Sequence, residues 1–78
     1  MGKRLREERA GYTKSEVRRL CAEKGYRLDE YGVYHMRVFG LTTVDYWPSA
    51  QKAWVTGTYK KAVPATPEEL LEIASHQH

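Results

Sequence analysis

The stretch Val44-Asp45-Tyr46-Trp47-Pro48-Ser49-Ala50-Gln51-Lys52-Ala53-Trp54-Val55 decides how this chain folds. Two tryptophans, a tyrosine and two valines flank a proline-led turn, in a chain of only 78 residues. β-Branched and aromatic runs on either side of a turn read as a hairpin. This one carries bulky aromatic surface on both of its faces. One face must pack a core, and the other is left for a partner.

The register of the neighbouring hairpin follows from its apolar pattern. A three-residue loop, Gly40-Leu41-Thr42, sets Val38 opposite Val44 and Met36 opposite Tyr46 on the core side. Arg37 then faces Asp45, and His35 faces Trp47, on the other side. A two-residue loop would press Asp45 against Met36, and a one-residue slip carries a whole strand's apolar set to the wrong face. A five-residue turn over residues 48–52 extends the pattern, placing Tyr46 opposite Trp54 in the core. It also places Trp47 opposite Ala53 and Asp45 opposite Val55 outside. The expectation is therefore a core Trp54 and an outer face of Val33, His35, Arg37, Phe39, Asp45, Trp47 and Val55.

Working outward, residues 1–12 mix Lys and Arg with Glu7 and Glu8 and show no apolar periodicity. They read as a basic, flexible arm or a frayed helical extension, with one α+β domain over residues 13–78. Thr13-x-x-Glu16 has capping-box spacing and predicts a helix start. Val17, Leu20 and Cys21 form its narrow apolar stripe, and Gly25 stands where helices commonly end in a left-handed residue. Tyr26 to Leu28 leads into a turn at residues 29–32. Strands are expected over residues 33–39, 42–47 and 53–59, then a connector over residues 60–65. Thr66-Pro67-Glu68-Glu69 combines an N-cap, proline at the first helical position and glutamate three residues on. Leu70, Leu71, Ile73 and Ala74 supply that helix's buried stripe, and residues 75–78 are expected to fray. The fold class is α+β: a two-layer α-β-β-β-α unit, its three-stranded antiparallel sheet covered on one face by two helices.

Composition narrows the function classes. A domain this short nets only about 3–5 kcal/mol from its core, so staples are common at this size. The single Cys21 cannot form an internal disulfide, and no Cys/His spacing matches a structural zinc site. No cofactor or metal is expected. A lone thiol, no secretory signal and no apolar run of membrane-spanning length point to a cytoplasmic protein. Net charge is +3 and uneven, with ten Lys/Arg against six Asp/Glu in residues 1–39. A basic half of this kind attracts nucleic acid or an acidic protein surface, or is simply a solvated helix face.

His35, Arg37 and Asp45 converge on the outer face, but an open sheet lacks the enclosed pocket that catalysis needs. Asp45 with Arg37 reads as a cross-strand ion pair, and Cys21 lies on a core stripe away from any base. No enzyme is expected. The outer face reads instead as a contact surface, because contiguous apolar patches mark interactions and Trp and Arg are common anchors. The expected partner-binding residues are Trp47, Phe39, Arg37, Val33 and His35. A nucleic-acid alternative uses Arg4, Arg6, Arg9 and Arg37 for phosphates and Trp47 for stacking. Self-association into a homodimer through the same face is a second alternative, and cover by the chain's own arm or connector a third.

The element order resembles the double-stranded RNA-binding domain. That family presents a lysine-rich N-terminus of its second helix to phosphates, whereas Pro67-Glu68-Glu69 stands here, so the similarity extends to topology alone. Gly32-Val33-Tyr34-His35-Met36-Arg37-Val38, followed by Val44-Asp45-Tyr46-Trp47-Pro48-Ser49 and Lys52-Ala53-Trp54, resembles a hairpin pattern of short, uncharacterised bacteriophage and prophage proteins. The likeness covers about residues 15–58. It implies a small accessory protein in the host cytoplasm that docks on a host or phage protein, and it carries no binding residues of its own.

Overall fold

Helix α1 (Gly2–Lys24) opens the chain, and strands β1 (Arg27–Glu30), β2 (Met36–Phe39), β3 (Thr43–Trp47), β4 (Lys52–Val55) and β5 (Val63–Pro64) follow. Helix α2 (Pro67–Ala74) closes it. The computed structural model describes residues 2–76, with side chains from residue 11 onward. The arginine side chains at positions 4, 6 and 9 and the expected fraying at Gln77 and His78 lie outside the described residues. The α+β class holds, but the sheet is a five-stranded antiparallel meander in chain order rather than a three-stranded one.

Both added strands fall where the sequence offers no alternation of apolar and polar residues. Strand β1 has one apolar residue, Leu28, which pairs with Val38. Ion pairs to α1 supply what hydrophobicity does not. Glu30 accepts from Arg18 Nε at 2.8 Å and Nη2 at 2.7 Å, and Lys14 Nζ lies 3.1 Å away. Strand β5 is two residues long and contains a proline, which suits a sheet edge. The expected strand over residues 33–39 shortens to Met36–Phe39, because residues 32–34 bend around Gly32 at φ +78°.

Helix α1 does not begin at Thr13. It runs continuously from Gly2, the helical extension rather than the arm of the two expected alternatives, through a segment rich in Leu, Arg, Glu and Ala, all strong helix formers. Thr13 is interior and buried, and its hydroxyl accepts from Gln51 Nε2 at 3.4 Å instead of capping the helix. The other end follows expectation. Tyr26 N–H donates to Cys21 O at 2.9 Å and Gly25 N–H to Ala22 O at 3.3 Å, with Gly25 at φ +71°. These are the two bonds of a Schellman motif. Helix α2 has its full capping box, Glu69 N–H donating to Thr66 Oγ1 and Thr66 N–H to Glu69 Oε1.

The β2–β3 register is the expected one: Met36 opposite Tyr46, Arg37 opposite Asp45, Val38 opposite Val44. The next pairing is shifted by one residue. Trp47 faces Lys52, so the turn holds four residues, 48–51, with Gln51 in a left-handed conformation at φ 51°. Tyr46 therefore faces Ala53, and Trp54 faces Asp45. Trp54 is not a core residue, and Val55 joins the helix side opposite Val44. Volume explains the choice. The Tyr46 ring is fully buried beneath the helices and its hydroxyl donates to Ala65 O at 2.7 Å. A second large ring opposite it would overfill the layer, whereas Ala53 fits. The core is Val17 and Cys21 from α1, Met36, Val38, Val44, Tyr46 and Ala53 from the sheet, Ala65 just before α2, and Leu70, Leu71 and Ala74 from α2.

The C-terminus of α2 rests directly on the β2–β3 turn. A Cβ on Gly40 would overlap the Ala74 carbonyl oxygen and come within 2.9 Å of Tyr26 Cε2. That carbonyl accepts from Thr42 N–H at 3.1 Å, and Thr42 Oγ1 donates to His76 O. Gly40→Ala is expected to lower stability by about 1–3 kcal/mol through overpacking, read as a lower urea midpoint at unchanged slope.

The Glu30 cluster sets an acid limit. Hydrogen bonding from Arg18, opposed by partial burial and reinforced by Lys14, holds the Glu30 carboxyl down at about 2 from an ordinary 4.5. Its folded pKa is depressed, so its stabilisation is present above about 4.5 and is lost as pH falls towards 2. Glu30→Gln should flatten that part of the stability–pH curve by less than about 1 kcal/mol, since the cluster is partly exposed.

Candidate functional site

Asp45 lies on the face of the sheet turned away from both helices, yet it is 1% exposed. The pairing of β2, β3 and β4 places Arg37, Asp45 and Trp54 in one row across the sheet. Trp47 and Lys52 form the next row, with His35 alongside Trp47. The carboxylate is thus walled by larger side chains on its own face.

Both oxygens of Asp45 accept hydrogen bonds. Oδ1 accepts from Arg37 Nε at 2.9 Å and lies 2.9 Å from His35 Nε2. Because an ionised carboxylate only accepts, His35 contributes the proton on Nε2. Oδ2 accepts from Thr56 Oγ1 at 2.8 Å. Burial by itself would raise this carboxyl, but the bonds from Arg37, Thr56 and His35 and the Arg37 charge outweigh it and hold it below the usual range. Its contribution to stability therefore declines as pH falls below the ordinary carboxylate range.

Around this hub Tyr31, His35 and Trp47 form a run of contacting rings. The His35 and Trp47 rings stack at 5.0 Å with planes 3° apart, and Tyr31 meets His35 at 5.2 Å. The Arg37 guanidinium lies over the Tyr31 ring at 5.3 Å, and Arg27 lies over Phe39 at 5.0 Å. Arg27 also donates to both oxygens of Asp29 at 3.3 Å. Such cation–ring contacts fix a guanidinium plane and are worth about 0.5–1 kcal/mol where exposed.

Four of the five expected partner-binding residues, Trp47, Phe39, Arg37 and His35, share this face. Val33 does not belong to the hydrogen-bonded rows; it is exposed on the β1–β2 loop. Val55, expected outside, sits on the opposite side of the sheet. Of the nucleic-acid set, Arg37 and Trp47 are on the face and the arginines at 4, 6 and 9 belong to the α1 segment whose side chains are not described. The residues that sequence reasoning missed are Tyr31, Trp54, Thr56 and Arg27. Alternation along 52–56 would have found Trp54 and Thr56 once the turn had four residues. Nothing in the chain flags Tyr31, which reaches the face from a loop.

The chain's single thiol is not part of the hub. Cys21 is buried on the helix side, where burial pushes its thiol up to about 11. Among the described residues no three His, Cys, Asp or Glu side chains come together as a metal site. No described helix is long and apolar enough to cross a membrane. Comparison with protein-family models, with curated proteins and with solved structures returned no match.

Asp45→Ala is expected to cost about 1–3 kcal/mol, because three donors lose one shared acceptor and two of them can turn partly towards water. Asp45→Asn, which keeps one acceptor oxygen, should cost less. Urea unfolding of the two variants beside the parent chain measures both.

Proposed function

We infer that this chain is a small non-enzymatic binding module that docks on a protein through the outer face of its sheet, with Trp47 and Arg37 at the centre of the contact. The observation that carries this reading is the buried Asp45, which holds Arg37, His35 and Thr56 in fixed positions on an open face. Ordering long side chains on binding costs about 0.5–1.5 kcal/mol each, and here much of that ordering precedes the encounter. Trp, Tyr and Arg are also the residue types that dominate protein interfaces.

Charge favours a protein partner over a nucleic acid. Arg27 is engaged by Asp29 and Arg37 by Asp45, which leaves Lys52 as the cation of this face without a carboxylate among the described residues. Nonspecific nucleic-acid binding rests on several phosphate contacts and the counterions they release. A face whose arginines already meet carboxylates offers few. Catalysis is disfavoured on similar grounds, since a carboxylate occupied by three donors and held below its usual range makes a poor general base.

The likeness of the Val44–Ser49 hairpin to those of short bacteriophage and prophage proteins supports an accessory role in an infected or lysogenic host, with a host or phage protein as the partner. The lone unpaired cysteine supports a cytoplasmic setting.

Trp47→Ala should abolish capture of a partner protein from host lysate while moving the thermal midpoint by no more than a few degrees. A single-stranded oligonucleotide at low salt should show no electrophoretic shift with micromolar parent protein. A salt-steep shift lost in Trp47→Ala would transfer the face to nucleic acid. A concentration-dependent mass in light scattering, abolished by the same substitution, would transfer it to a homodimer.

A further inference from the structure

On the helix side of the sheet, beyond the edge of α2, a half-open cavity of about 180 Å³ remains unfilled. Val44 and Ala53, both buried, form its floor with Ile73, while Val55 and the exposed Val63 form its sides. The remaining lining comes from Lys60 and Lys61, consecutive residues of the β4–β5 connector. Both lysines are exposed, so the lining is charged on its solvent side. Neither forms an ion pair with a described carboxylate, although most other basic side chains along the described chain do.

An apolar recess with two cations at its opening has a definite complement. The ligand must bury a hydrocarbon portion and leave an anion at the surface. A carboxylate accepts from two ammonium groups, and each methylene placed in the recess adds a favourable transfer term. The size is also limiting. Pockets for drug-sized ligands run to about 300–1,000 Å³, so this recess takes a single short chain. Lysine stems lying along apolar surface account for part of the geometry in any protein. They do not account for two consecutive lysines lining one cavity with no ion-pair partner among the described residues.

We propose that this cavity binds a medium-chain aliphatic carboxylate, with the chain against Val44, Ala53, Val55 and Ile73 and the carboxylate between Lys60 and Lys61. The site is on the opposite side of the sheet from Trp47, so it stands or falls independently of the docking face.

Titration calorimetry of the full chain with hexanoate, octanoate and decanoate, each below its micelle concentration, tests the assignment. Affinity should rise by about fourfold per methylene until the recess is full and then level off. Octanol should bind more weakly than octanoate, and octylamine most weakly. The Lys60→Ala/Lys61→Ala double variant should lose at least tenfold for octanoate while keeping its affinity for octanol. Both lysines are exposed, so this variant is expected to fold, and its unfolding midpoint verifies that. Methyl shifts on octanoate binding should centre on Val55, Val63 and Ile73. Binding without chain-length dependence, equal binding of octylamine, an unchanged double variant, or shifts centred on Trp47 would each overturn the proposal. A short peptide with a C-terminal leucine carboxylate binding more tightly than any free acid would overturn its assignment to a free aliphatic carboxylate.

Discussion

A carboxylate removed from water on a sheet face that no helix covers is the constraint on which the rest of this structure turns. Buried ionised groups persist only when their hydrogen-bonding capacity is met. Asp45 meets that condition through Arg37 on β2, His35 just before it, and Thr56 just after β4. The three donors come from both flanking strands, so the bonds can form together in only one register on each side. A slip of either neighbour would leave the charge unpaired. The same carboxylate therefore specifies the strand alignment and sets the arrangement of the outer surface.

That alignment divides the large side chains between two layers. Tyr46 is spent entirely on the interior, with its hydroxyl on the carbonyl just before the α2 cap. Trp47 and Trp54 are both left outside, one stacked on His35 and the other opposite Asp45. The helix side consequently rests on modest residues such as valine, alanine, leucine and methionine. Aromatic residues on the outer face contribute little to that core, which is why they are available for contact.

Much of this was legible in the chain. The second helix was fully specified by Thr66, Pro67 and Glu69, because capping chemistry is local. The β2–β3 register followed from matching Met36 and Val38 to Tyr46 and Val44. What was not legible depended on backbone conformations with no residue signature. Gln51, a non-glycine residue with positive φ, shortens the turn by one residue and moves Trp54 from the core to the surface. Strand β1 has too few apolar residues to show a period and is secured by ion pairs to the preceding helix α1. The segment before Thr13 lacks an apolar stripe but has the intrinsic preference for a helix, and Thr13 itself mimics a cap while serving as a buried acceptor. The site was legible in its central residues, His35, Arg37, Asp45 and Trp47, but Tyr31 enters from a loop whose sequence gives no direction, and Trp54 and Thr56 follow only from a four-residue turn.

The seating of α2 on Gly40 bears on the order in which the molecule assembles. Each strand of the meander pairs with its immediate neighbour in sequence, so the sheet can zip hairpin by hairpin at low loop-closure entropy. The helix has no such advantage, since the bond from Thr42 to His76 spans 34 residues. Its docking has to wait until the hairpin presents a bare backbone for the Ala74 carbonyl. The topology thus favours pairing of the strands before the last helix settles as a lid over their inner layer. Lifting that lid would bare the hydrocarbon of the inner layer while leaving every bond to Asp45 in place, since none of them comes from α2.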